Sequence, residues 1–150
     1  TQHVFLNGED VSEQIRTPEA SMMASAVSAK PEVRAFLLDM QRRLARENNV
    51  IMDGRDIGTV VLPDATLKFF VTASVDERAM RRYKELKQKG MDVNFDDIYK
   101  DIETRDYNDS HREIAPLKPA ADSIMFDTTG NTLEESIEKL IKIIKERLSI

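Results

Sequence analysis

The chain has no cysteine. Disulfides and thiolate metal sites are therefore excluded, and a cytoplasmic location is the reading that fits. Its two histidines, His3 and His111, are too isolated in the sequence to suggest a metal site or a base. Basic excess is missing as well: 22 Lys and Arg stand against 27 Asp and Glu, for a formal net charge of -5. That argues against general nucleic-acid binding, which needs a basic surface. A small phosphorylated ligand stays allowed, because a local group of arginines can hold one in an acidic protein. No apolar run approaches the roughly 20 residues of a membrane span, and no signal peptide is visible at Thr1. There is no internal repeat, low-complexity tract or interdomain linker. Nor does Gly-x-x-x-x-Gly-Lys-Ser/Thr, the loop that cradles β- and γ-phosphates, occur anywhere in the chain.

What is present is ordinary for one domain with a real core: 150 residues, 41% apolar and 33% charged. The first residue is not Met, and it stands inside what reads as a strand, so Thr1 is expected to be a cut end. Val4-Phe5-Leu6 followed by Asn7-Gly8 predicts a strand entering a hairpin. Thr17 and Pro18 predict a helix start that runs to about Val27. Pro31 opens a longer helix with Val33, Phe36, Leu37, Met40 and Leu44 on one face. Val50 to Met52 reads as a buried strand, and Leu67 to Val71 as a second. Ser74-Val75-Asp76-Glu77 is a capping box whose helix should stop at Gly90. Asn94 should cap a helix reaching about Arg112, followed by a loop from Ile114 to Pro119. Ser123 to Asp127 reads as a third strand. Thr132 to Glu135 is a further capping box, and its helix carries Leu133, Ile137, Leu140, Ile141, Ile144 and Leu148 on one face. Strands alternating with helices predict an α/β fold with a parallel sheet.

Two constellations carry chemistry. Asp53-Gly54-Arg55-Asp56 follows a short apolar run, and in parallel sheets ligands bind just beyond the carboxyl ends of strands. An arginine there suits a phosphate; an aspartate suits a metal-bound water or an amino group. The plain alternative is an Asp-Gly turn whose arginine pairs with a neighbouring carboxylate. The second constellation lies on the helix after Asn94. Ile98, Ile102, Arg105, Asp109 and Arg112 fall within a stripe of roughly 80°. The isoleucines should pack inward, so the charged residues leave the core on the same side. They form either a solvated i,i+4 pair or the charged wall of a cleft. Arg78, Arg81 and Arg82 form a third group, read as a solvated helix face or as a mobile lid that neutralises a transferring phosphoryl group.

Taken together, the chain resembles the bacterial cytidylate kinases along nearly its whole length. The resemblance rests on Asp53-Gly54-Arg55-Asp56-Ile57-Gly58-Thr59, on Pro31-Glu32-Val33-Arg34, on Arg105-Asp106 with Asp109 and Arg112 followed by Ala115-Pro116-Leu117, and on Pro119 to Asp122. It implies transfer of the ATP γ-phosphoryl group to CMP or dCMP with Mg²⁺, on a nucleoside monophosphate kinase fold of parallel sheet flanked by helices. Ser25, Arg34 and Asp56 match the cytosine-holding positions. Arg105 and Asp109 match the ribose side, and Arg55 and Arg112 the CMP phosphate. Asp53 matches a position near the magnesium water shell; no metal-ligand set is expected in the chain itself. Arg78, Arg81 and Arg82 match the ATP-facing lid. On the same resemblance the chain, 1–150, is a partial kinase domain. Residues 1–17 would end an inserted CMP-binding subdomain, 74–113 would form the lid region, and 114–150 the last strand and helix. The P-loop strand should lie between the strands at 50–52 and 67–71, and its absence leaves open edges. The implied partners are CMP or dCMP, ATP, and either a missing N-terminal segment or another copy of the chain; nucleic acid and membrane are not among them. The chain alone is expected to be inactive. A UMP or AMP kinase and a non-catalytic nucleotide-binding fragment are the alternatives.

Overall fold

The computed structural model describes residues 3–149. They divide into two compact units, one reaching Ile51 and one beginning at Met52. In the first unit, β1 (Phe5–Leu6) and β2 (Glu9–Asp10) form an antiparallel hairpin, with Phe5 opposite Asp10 and Leu6 opposite Glu9. Asn7 and Gly8 take φ of 52° and 88°. A two-residue hairpin turn of this hand needs positive φ at both positions, which is why Asn-Gly is found there. Ser12 closes the hairpin by accepting from Val4 N at 2.8 Å. α1 (Pro18–Ser28) begins as expected, with Thr17 Oγ1 accepting from Ala20 N at 3.2 Å. α2 (Pro31–Glu47) starts at its own proline.

The second unit is a mixed α/β structure with a small parallel sheet. β3 (Phe69–Thr72) pairs with β4 (Ile124–Asp127), Phe69 opposite Ile124 and Thr72 opposite Asp127. Between them run α3 (Val75–Gln88) and α4 (Phe95–His111). Ser74 Oγ caps α3 by accepting from Glu77 N at 3.2 Å, and Gly90 ends it with φ of 76°. Asn94 Oδ1 caps α4, accepting from Asp96 N at 2.7 Å. The helices pack through Ala79, Leu86 and Ile98, with Tyr83, Val93, Phe95, Tyr99 and Ile102 around them. α5 (Leu133–Leu148) starts with the full reciprocal capping box of Thr132 and Glu135.

Val50 to Met52 departs from expectation. The segment is not a strand, and Ile51 is fully exposed. A β-strand exists only through its ladder, and among the described residues no strand pairs with this one. An apolar run therefore stays an unpaired extended segment. The apolar stripes of α2 and α5 are present but uncovered: no residue of either helix is buried, and Phe36 and Leu133 are largely exposed. A single π-type turn, Ile57–Val61, follows the Asp-Gly-Arg-Asp loop; no sequence signal announced it.

Candidate functional site

The Asp53–Asp56 loop is held by its own backbone. The Asp56 carbonyl accepts from Val60 N at 2.8 Å and more weakly from Thr59 and Val61, so the chain turns sharply just after the loop. Gly54 permits a close approach: a Cβ there would stand 2.9 Å from Ile57 Cγ1. Any larger residue would force the Ile57 side chain or the loop to shift.

Opposite this loop lies the C-terminal half of α4. Asp109 is its centre, with a side chain only 5% exposed. Arg55 Nε donates to Asp109 Oδ2 at 3.0 Å. Arg105 Nε stands 3.8 Å from the same oxygen, and Arg112 Nη1 3.9 Å from Oδ1. Arg112 Nη2 lies 4.0 Å from Asp56 Oδ1. Three guanidinium groups thus gather around two carboxylates, leaving one net positive charge. A solvated i,i+4 pair does not describe this cluster, because its carboxylate is buried and Arg55 comes from a loop 54 residues away.

Two further contacts lock the end of α4. Leu117 N donates to Asp109 O at 2.7 Å, and Arg112 Nε to Ala115 O at 2.7 Å. Ala115 takes φ of 50°, a left-handed conformation unusual for alanine. Arg112 is thereby held with its side chain 12% exposed, and its Nη2 is buried without a hydrogen-bond partner among the described residues. A buried donor without an acceptor costs about 1–3 kcal/mol. A ligand oxygen would remove that cost. Converging, partly desolvated guanidiniums suit a phosphate dianion, since each can give paired N–H bonds in a plane.

The structure brings Arg55, Asp56, Arg105, Asp109 and Arg112 together. Asp53 stands exposed at the start of the same loop. Ser25 and Arg34 belong to the first unit, where Arg34 Nη1 donates to Ser28 O at 3.2 Å and Ser28 Oγ to Ser25 O at 3.0 Å. Arg78, Arg81 and Arg82, expected in a lid, are all engaged within the second unit. Arg78 forks onto Asp106 at 3.0 and 2.6 Å. Arg81 Nη2 donates to Thr128 O at 2.9 Å, and Arg82 Nη1 to Glu85 Oε2 at 2.9 Å. Sequence reasoning missed two partners. One is Asp106; the other is Lys68, whose almost buried ammonium reaches Asp122 Oδ2 at 2.6 Å and the Pro63 carbonyl. Both are long-range pairs that no local spacing encodes. The Lys68 hydrogen bond holds the Asp122 carboxyl below its ordinary value.

Among the described residues no three His, Cys, Asp or Glu side chains gather as a metal-binding group. Asp53 alone fits the way Mg²⁺ is commonly held, through its waters with one or two carboxylates and substrate phosphates. No helix among the described residues is long and apolar enough to cross a membrane.

Comparison with known proteins agrees with the motifs. A profile of the cytidylate kinase family matches residues 1–146. The chain is 54% identical over 142 residues to a cytidylate kinase of Caldicellulosiruptor bescii, covering 95% of this chain and 63% of that protein. It is 50% identical over 146 residues to one of Fervidobacterium nodosum, covering 97% and 67%, and 48% identical over 150 residues to one of Syntrophotalea carbinolica, covering 100% and 64%. The chain spans about two thirds of the length of these curated relatives. The chain belongs to the cytidylate kinase family.

Proposed function

We propose that the protein carrying this chain moves the γ-phosphoryl group of ATP to CMP or dCMP. The CMP phosphate oxygen attacks the γ-phosphorus, the bond to the β,γ-bridging oxygen breaks, and CDP and ADP leave. One observation carries the reading: Arg55, Arg105 and Arg112 converge around buried Asp109, and Arg112 Nη2 has no hydrogen-bond acceptor among the described residues. The family names of the relatives support the same reading.

Each residue then has a role. Arg55 and Arg112 hold the CMP phosphate, and Arg105 stands beside it. Asp109 keeps the three guanidiniums together and offers its carboxylate on the ribose side. Asp56 accepts from the cytosine N4 amino group, where uracil would present an oxygen. Ser25 and Arg34 match cytosine-holding positions of the family as well. Asp53 lies at the Mg²⁺ water shell; the ion, when bound, would neutralise charge on the transferring phosphates. Arg78, Arg81 and Arg82 belong to the lid region, 74–113. Residues 1–17 end the CMP-binding subdomain, and 114–150 complete the core. The P-loop, which cradles the donor phosphates, has no counterpart in the 150 residues. Phosphoryl transfer depends almost entirely on positioning and electrostatics, so residues 1–150 alone bind nucleotide poorly and do not turn over. The open edge of β3 pairs either with the segment that supplies the loop or with another copy of the chain.

A coupled assay for ADP release tests the reading. The protein expressed from its complete coding sequence should accept CMP and dCMP well and UMP and AMP poorly, while residues 1–150 alone show no turnover. Equal rates with AMP or UMP would reject the cytosine assignment. No turnover with any acceptor would leave only a nucleotide-binding role.

A further inference from the structure

All three donor nitrogens of the Arg78 guanidinium are engaged. Its Nη1 and Nη2 donate to Asp106 Oδ1 and Oδ2 at 3.0 and 2.6 Å, and its Nε donates to Ala73 O at 3.0 Å. Ala73 follows β3 directly, Arg78 lies near the start of α3, and Asp106 sits late in α4. One planar guanidinium therefore ties three elements together. Asp106 projects about 100° around α4 from Arg105 but only about 60° from Asp109, its i,i+3 neighbour, so it borders the face that carries the arginine cluster.

The apolar packing between α3 and α4 ends at Ile102. Residues 103–111 contribute nothing to that cluster, yet they carry Arg105 and Asp109. Their far end is tied to the following loop through Leu117 N and Arg112 Nε. On the α3 side, at the level of the cluster, the Arg78–Asp106 fork ties the two helices together. Bidentate pairing fixes an orientation as well as a distance. The fork thus sets how α4 is rotated about its axis, and with it where Arg105, Asp109 and Arg112 point.

We propose that Arg78 and Asp106 are a positioning pair for the arginine cluster. This assignment rests on the reading of that cluster as the phosphate site, and it takes Arg78 out of the residues that touch ATP. Neither partner contacts substrate. Their effect is transmitted by the rotation of α4.

The test uses the protein from its complete coding sequence, with two readouts. In hydrogen exchange without nucleotide, Asp106→Asn should speed exchange of amides 103–111 while 95–102 stay as in the parent. In steady-state kinetics the same variant should raise KM for CMP by about 10-fold while KM for ATP stays within about 2-fold; an ångström of displacement is worth up to roughly 100-fold at such sites. Arg78→Asp combined with Asp106→Arg restores the charge pair and should recover most of the loss. Unchanged exchange in Asp106→Asn overturns the proposal. So does faster exchange with no selective change in KM for CMP, which would make the fork structural only. So does a rise in KM for ATP in Arg78→Lys without one for CMP, which would return Arg78 to the donor site. If the parent protein phosphorylates no nucleoside monophosphate, the phosphate-site reading fails first, and the pair loses its object with it.

Discussion

Arg55 and Asp109, 54 residues apart in the chain, meet through a 3.0 Å hydrogen bond from Nε to Oδ2. The acceptor is buried and the donor is 42% exposed. Asp109 therefore does for the loop what a ligand would otherwise have to do: it holds Arg55 in place against two other guanidiniums.

Removing that carboxylate should cost stability. Asp109→Leu takes away the carboxylate around which Arg55, Arg105 and Arg112 gather. Breaking a fully buried pair costs about 3–5 kcal/mol; Arg55 is partly solvated, so the lower end is expected. Arg55→Met combined with Asp109→Leu should recover part of the loss, because one uncompensated charge is gone. Urea unfolding of Asp109→Leu, Arg55→Met and the double variant measures this. Losses that simply add across the two single variants and the double would mean that the two residues are not coupled.

Arg55 and Arg112 should discriminate by phosphate. Truncating either to Met is expected to weaken CMP binding by about 2–5 kcal/mol, the range for losing one partner of a buried charge pair. Cytidine, without the phosphate, should bind nearly as before. Calorimetric titration with both ligands decides the matter, since equal losses for the two would remove the phosphate role.

Asp56 should read the base. Asp56→Asn keeps the shape but adds a donor that can serve uracil O4. The CMP-over-UMP ratio of kcat/KM should narrow by an amount corresponding to about 1–3 kcal/mol, the cost of a mismatched buried polar group. An unchanged ratio would point to another reader.

The pH dependence of the sheet end follows from Lys68 and Asp122. The Lys68 hydrogen bond lowers the Asp122 pKa below 3.8 in the folded protein. A depressed folded value stabilises above the unfolded value and loses that contribution as pH falls through the folded one. Lys68→Met should return the carboxyl toward 3.8 in a ¹³C NMR titration. A titration curve for Asp122 that does not move would show that Lys68 is not the cause.

Much of the fold is legible in local chemistry. Thr17, Ser74, Asn94 and Thr132 each cap the helix expected of them, because a cap is decided within four residues. Asn7-Gly8 sets its turn for the same reason. What could not be read depends on partners far away in sequence. Val50 to Met52 has the composition of a strand but no ladder. Asp106 looks like any other acidic residue of α4 until Arg78 is seen beside it. The stripe of Arg105, Asp109 and Arg112 was visible from spacing, while the arrival of Arg55 at its centre was not.

The open sheet leads to the last prediction. β3 pairs only with β4 among the described residues, and Ile51 lies exposed. If a P-loop strand belongs beside β3, residues 1–150 alone present an unsatisfied edge. Each buried unpaired backbone group costs about 1–3 kcal/mol, and an edge of this kind recruits other chains. Amides of Val50 to Met52 should then exchange within seconds in the dilute chain. Protection there, and along the free edge of β3, should rise with protein concentration as copies pair. Strong protection of both segments in a monomer, independent of concentration, would show that the edge is already satisfied and that the proposed strand order is wrong.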